Sequence, residues 1–210
     1  MQPLFLDIET IARPGAEVLL PEPCAPANYK DPAKIADYIA EKRAAQQEKM
    51  ALDPDCCEIV TIAWAFDTGP ISGWDRDTAG LEYESDLLQY FWAYMERGHG
   101  SYWPLVGYNV GEFDLPVLMR RSFLLGVKPS VEWKYRKYQR DNVLDLMQVL
   151  YGWAPPYKSL KHVCRMCGIP EPEGDGADVA TMSPEERIAH CKSDVEATRA
   201  LYYKGKGWYW

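Results

Sequence analysis

The chain has 210 residues, room for one large domain, and its 47% hydrophobic and 26% charged residues are those of a soluble globular protein that can bury a core. The formal net charge of −8 and pI of about 5.0 argue against a protein that coats duplex DNA through phosphate contacts. They leave room for nucleic acid handled at a metal site, because two bound Mg²⁺ would take the formal −8 to −4 where the ligands cluster. No stretch approaches the roughly 18 apolar residues of a membrane span and no leader pattern opens the chain, so a cytoplasmic protein with no membrane partner is expected. The six cysteines, Cys24, Cys56, Cys57, Cys164, Cys167 and Cys191, are then expected to be reduced. Cys164 and Cys167 form one C-x-x-C near His162 with no second pair, and at helical spacing they read as small core residues more readily than as zinc ligands.

The first element is a strand, LFLDIETIA, on which Asp7 and Glu9 alternate onto one face. Residues 13 to 34 are rich in Pro and polar residues. The pattern predicts a helix from Pro32 to about Leu52, charged and thinly apolar, with Ile35, Ile39 and Tyr38 on one face, so that residues 13 to 55 form a helical insertion. EIVTIAWAF (58–66) is β-branched and aromatic and reads as a buried strand, with ISGWD (71–75) as its partner after a Thr-Gly-Pro turn. In residues 82–96, Leu87, Leu88, Phe91, Trp92 and Met95 recur at helical spacing and mark a core helix. PLVGYN (104–109) is the next strand, followed by a turn and a helix to about Leu125. Residues 142–152 and 157–169 read as two further helices, and EPEGDGADV as a polar loop. The last helix starts at Ser183 with a Ser-x-x-Glu capping box to Glu186. Strands early and helices late predict a mixed α/β domain.

Two carboxylates on one strand face repel each other, and a hard divalent cation between them removes the conflict. Taken alone, Asp7 and Glu9 also fit the start of a solvated turn, and matching acids downstream decide between the two. Asp114 follows a strand by a tight turn and opens a helix, a place from which a side chain reaches across the carboxyl edge of a sheet. It also suits a plain helix N-terminal acid. His190 and Asp194 are four apart on the last helix and share a face. Asp145 sits between apolar residues.

LFLDIET, GYNVGEFD and HCKSDVEAT, in that order, resemble the three motifs of the DEDD superfamily of 3′-to-5′ exonucleases, and the chain is most similar to the predicted exonucleases related to the proofreading domain of family B DNA polymerases. PANYKDPAKI, ALDP and GDGADV extend the likeness over nearly the whole sequence. The resemblance implies an RNase H-like α/β fold over residues 1–210, a mixed central sheet flanked by helices. It implies a metal-dependent 3′-to-5′ exonuclease with two divalent ions, Mg²⁺ or Mn²⁺, held by Asp7, Glu9, Asp114 and Asp194. Four carboxylates balance two such ions, and the pair suits in-line displacement at phosphorus. In that scheme Asp7 bridges the ions, Glu9 and Asp194 complete the site of the attacking water, and Asp114 acts through the second ion's water shell. Asn109 and Phe113 match the polar and aromatic positions of the second motif and are expected near the terminal nucleotides.

The third motif departs from the family pattern. Members with three residues between this position and the last aspartate usually carry Tyr, and members with His usually have four; here His190 stands at the Tyr spacing. An imidazole can accept a proton near neutrality where a phenol chiefly orients, so His190 is assigned to the nucleophilic water. Single strands are held by aromatic stacking and basic groups. The densest such run is Trp133, Lys134, Tyr135, Arg136, Lys137, Tyr138 and Arg140, and it is expected to contact the strand. The expected partner is a single-stranded nucleic acid with a 3′ end, DNA ahead of RNA, with a polymerase or repair protein as a further partner. An exoribonuclease and a catalytically weak binding or polymerase-accessory module are the alternatives. The tail GKGWYW fits either docking on the domain or an outside contact.

Overall fold

The structure, a computed structural model, describes residues 2–97, 104–135, 142–152 and 154–210. Five strands make one mixed sheet in the order β3-β2-β1-β4-β5, formed by β1 (Leu4–Ala12), β2 (Cys57–Phe66), β3 (Ser72–Asp75), β4 (Leu105–Gly107) and β5 (Val143–Asp145). β1 runs antiparallel to β2 with Asp7 opposite Ala63, and the register shifts between Glu9 and Thr10. β2 and β3 form the predicted hairpin, while β4 lies parallel to both β1 and β5.

The period-two alternation of β1 divides the core. Leu4, Leu6 and Ile8 face the larger cluster, packed under the helices α2 (Glu84–Arg97) and α3 (Asp114–Leu124) with Phe91, Trp92 and Leu118. Phe5, and with it Asp7 and Glu9, leaves on the other side, where Ala63, Ala65 and Val106 meet Cys191, Val195 and Leu201 of α6 (Pro184–Gly205). Two alanines on β2 let this long helix lie close to the sheet. A buried ion pair braces each side. Arg121 of α3 forks onto Glu84 of α2 at 3.0 and 2.6 Å, and Arg187 of α6 forks onto Asp75 of β3 at 2.7 and 3.1 Å.

The predicted insertion helix is shorter than expected. α1 (Pro32–Glu48), capped by the Asp31 carboxylate, buries none of its residues, and a 3-10 turn at Met50–Leu52 takes over. Met50 of that turn is buried with Ala16 and Cys56. The helix expected over 142–152 is instead β5 followed by α4 (Leu146–Tyr151), and the polar loop after α5 (Leu160–Cys167) contains a 3-10 turn at Gly176–Thr181. The Ser183 capping box forms as expected. Trp210 docks back, its indole N–H donating to the Tyr202 carbonyl at 2.9 Å, while Trp208 stays exposed. Cys164 is buried, and all six cysteines are free. Among the described residues no helix is long and apolar enough to cross a membrane.

Candidate active site

Asp7 and Glu9 sit on the α6 face of β1, at the floor of a cleft of about 390 Å³ whose walls include Asn109, Phe113, Asp114, Lys161, Gly174, His190 and Asp194. Parallel pairing of β1 with β4 stops at Phe5–Val106. Beyond it the Ile8 amide donates to Asp114 Oδ1 at 3.2 Å, so the first residue of α3 is tied to the strand between the two acids.

The turn that delivers Asp114 is held from below. Asn109 has φ 66, a left-handed conformation that few side chains adopt without support. Asp145 supplies it: its carboxylate accepts from the amides of Asn109 at 3.1 Å and Gly111 at 2.9 Å, and from Met147 and Gln148 at the start of α4. No role for Asp145 is legible in the sequence. Its only signal was a lone acid in an apolar run, the mark of a buried carboxylate that needs donors.

α6 brings the other half. His190 is buried, its Nε2 3.5 Å from Glu9 Oε1 and 3.7 Å from Asp194 Oδ2. The nitrogen and carboxylate oxygens of these three residues lie within 4.8 Å of one another. The Cys191 thiol, on the next position, donates to the Asp7 carboxylate at 3.2 Å. Sequence reasoning missed this contact; placing it requires knowing which turn of α6 faces β1.

The electrostatics are those of a site short of positive charge. Burial, then Asp114, Glu9 and Asp194, push the Asp7 carboxyl well above the usual range, against the hydrogen bond from Cys191. Glu9 is raised well above its ordinary value by burial and by Asp194 and Asp114. Burial lifts Asp114 to about 7 despite the Ile8 amide, and Asp194 to about 6 despite His190 and Lys161. The donor set is hard oxygen and the charge deficit large, which fits divalent cations such as Mg²⁺ or Mn²⁺.

A family described as a predicted 3′-5′ exonuclease related to the exonuclease domain of PolB matches residues 55–207. The chain belongs to this family. Among solved structures it is similar to the family B DNA polymerase of the hyperthermophilic archaeon Pyrobaculum calidifontis, at 18% identity and a TM-score of 0.59 over 97% of this chain. The chain spans 24% of that polymerase's length. The architecture is therefore RNase H-like. No curated protein matches the sequence.

In this member of the PolB-related family the residues expected to contact substrate divide. Asn109 and Phe113 line the cleft with the acids. Trp133 does not fit the expectation: it is buried, packs on Trp92 with ring centroids 5.6 Å apart, and has no free face to stack a base. Lys134 is exposed, with its amide on Asn142 and its ammonium 3.6 Å from Glu132, and it does not line the cleft. Tyr135 packs against Gly111, its hydroxyl 3.4 Å from Glu112. Arg136, with Lys137, Tyr138 and Arg140, lies outside the described residues. Among the described residues, a Lys that lines the cleft is Lys161 of α5, whose ammonium donates to the Gly174 carbonyl.

Proposed function

We propose that this PolB-related exonuclease removes nucleoside monophosphates from the 3′ end of single-stranded DNA with two divalent cations, Mg²⁺ or Mn²⁺, held by Asp7, Glu9, Asp114 and Asp194. The observation that carries the reading is the convergence of buried and half-buried carboxylates from β1, α3 and α6 on one cleft beside an imidazole nitrogen. Bound there, the cations would polarise the scissile phosphate and offset charge on the attacking and leaving oxygens. His190 Nε2 lies on the Glu9–Asp194 side, where it orients the attacking water and takes its proton. Phe113 and Asn109 flank the acids and fix the terminal nucleotide. Lys161 offers its ammonium to a phosphate oxygen in place of the Gly174 carbonyl. A polymerase or repair protein as partner rests on the family relation alone.

The test is incubation of the full chain with 3′- and 5′-labelled DNA and RNA oligomers in Mg²⁺, Mn²⁺ or EDTA. Shortening of the 5′-labelled DNA from its far end, abolished by EDTA, is expected. Faster loss of RNA would reassign the substrate, and no metal-dependent shortening of any oligomer by folded protein would end the enzyme reading. Asp7→Ala is expected to lower kcat by at least about a thousandfold while retaining the parental fold, because it removes a carboxylate that would hold the proposed ions.

A further inference from the structure

His190 is held from behind by the backbone of one residue, Glu173. Its Nδ1 is 2.5 Å from the carbonyl oxygen of Glu173, and the amide of the same Glu173 donates to Ser193 Oγ at 2.8 Å. His190 and Ser193 are three apart on α6 and so share a face, which means that both polar ends of the Glu173 backbone are fastened to one turn of helix. A carbonyl oxygen only accepts. The hydrogen at that contact therefore belongs to Nδ1, and in the neutral ring Nε2 is left as a lone pair aimed at Glu9 and Asp194.

The next residue leaves little freedom. Gly174 has φ +74, and a Cβ there would stand 2.9 Å from His190 Nδ1 and 3.3 Å from its Cγ. Glycine alone lets the chain pass the ring at this distance and turn away.

We propose that the Glu173–Gly174 segment is the positioning element for His190, and that Ser193 and Gly174 are positioning residues: the latch fixes the Nδ1–H tautomer and thereby keeps Nε2 free to receive the water's proton. The inference rests on the exonuclease reading of His190 for its kinetic consequence, and on geometry alone for the tautomer.

Two readouts separate those halves. The tautomer is read in the full-length protein from long-range proton–nitrogen NMR correlations, recorded at rising pH until the ring-nitrogen shifts stop moving. The sequence has three histidines, and His190 is assigned by the signal lost in His190→Ala. The parent is expected to show Nδ1–H, and Ser193→Ala a mixture of tautomers. An Nε2–H ring in the parent, or an unchanged ring in Ser193→Ala, would overturn the latch. In kinetics on a DNA oligomer, Ser193→Ala is expected to cut kcat about three- to tenfold with KM within about twofold, as for loss of one orienting hydrogen bond. Ser193→Thr, which keeps the hydroxyl, should recover most of it. Gly174→Ala should lose more than Ser193→Ala.

The decisive comparison is Ser193→Ala within His190→Ala. No further loss is expected there, whereas an equal loss in both backgrounds would show that Ser193 acts otherwise and refute the positioning role. Should the parent cleave no oligomer, the exonuclease reading fails, and the NMR result still decides the latch.

Discussion

Asp114 shows how much a single carboxylate can cost the fold that carries it. Burial raises it to about 7, so the folded chain holds its proton more tightly than the unfolded chain, where the ordinary aspartate value is near 4. The sign of the linkage follows: its contribution to stability is full below about pH 4 and is lost as pH rises to about 7. Asn keeps the oxygen that accepts from Ile8 and removes the titration. In EDTA, Asp114→Asn is expected to be more stable than the parent above pH 7 by about 4 kcal/mol, roughly 8 to 16 °C in Tm. The difference should shrink towards zero near pH 4. Thermal melts of both proteins across this range check it, and a parent as stable as the variant at high pH would contradict the strained-acid account.

The elements differ in how far they declared themselves. β1, β2 and α2 could be read directly, because the two strands are apolar runs rich in β-branched and aromatic residues and the helix repeats its apolar residues at helical spacing. β5 could not: NVLDLMQVLYG has no breaker between strand and helix, and Asp145 ends one while capping the other. Its donors lie 34 and 36 residues away, beyond any local pattern. The four acids stood out through the three motifs that carry the family resemblance, since each taken singly also fits a solvated turn, a helix start or a surface helix contact. Trp133 misled for the opposite reason, since an aromatic in a basic run has the same local signature whether its ring faces solvent or Trp92. α1 was correctly read as thinly apolar, and it buries no residue. The structure ties the end of the insertion down after α1, through Met50 and through the Thr10 hydroxyl on the Ala51 carbonyl at 2.6 Å. Replacing Pro32–Glu48 with a Gly/Ser linker of equal length is therefore expected to move Tm by no more than about 2 °C and cleavage by less than about threefold. A greater loss in either measurement would mean that α1 serves the substrate or the fold.

Across the whole molecule, the acidic balance and the proposed chemistry meet in one measurable property. A fold with a net charge of −8 and a cluster of raised carboxylates should be stabilised by the ions it is proposed to use. With Mg²⁺ or Mn²⁺ at a hundred times its dissociation constant, the expected gain is about 2.7 kcal/mol per site. The gain should be greater at pH 8 than at pH 5, because protons compete for the same oxygens. Melts at both pH values with and without the metal check this, and Asp7→Ala should lose most of the gain.

Phe5 and Asp7 leave β1 on the same side, and the Phe5 ring lies 5.3 Å from that of Tyr202 and 6.2 Å from that of Tyr203 on α6. The gap that holds the acids and the gap filled by these rings are one gap, two residues apart. The rings, being close-packed, set how near α6 can come to β1 on that side. At the other end of α6, Arg187 clasped to Asp75 resists the opening. The aromatic spacer and the ionic clasp thus gauge the jaw from its two ends, and its width is a property of how a helix rests on a sheet.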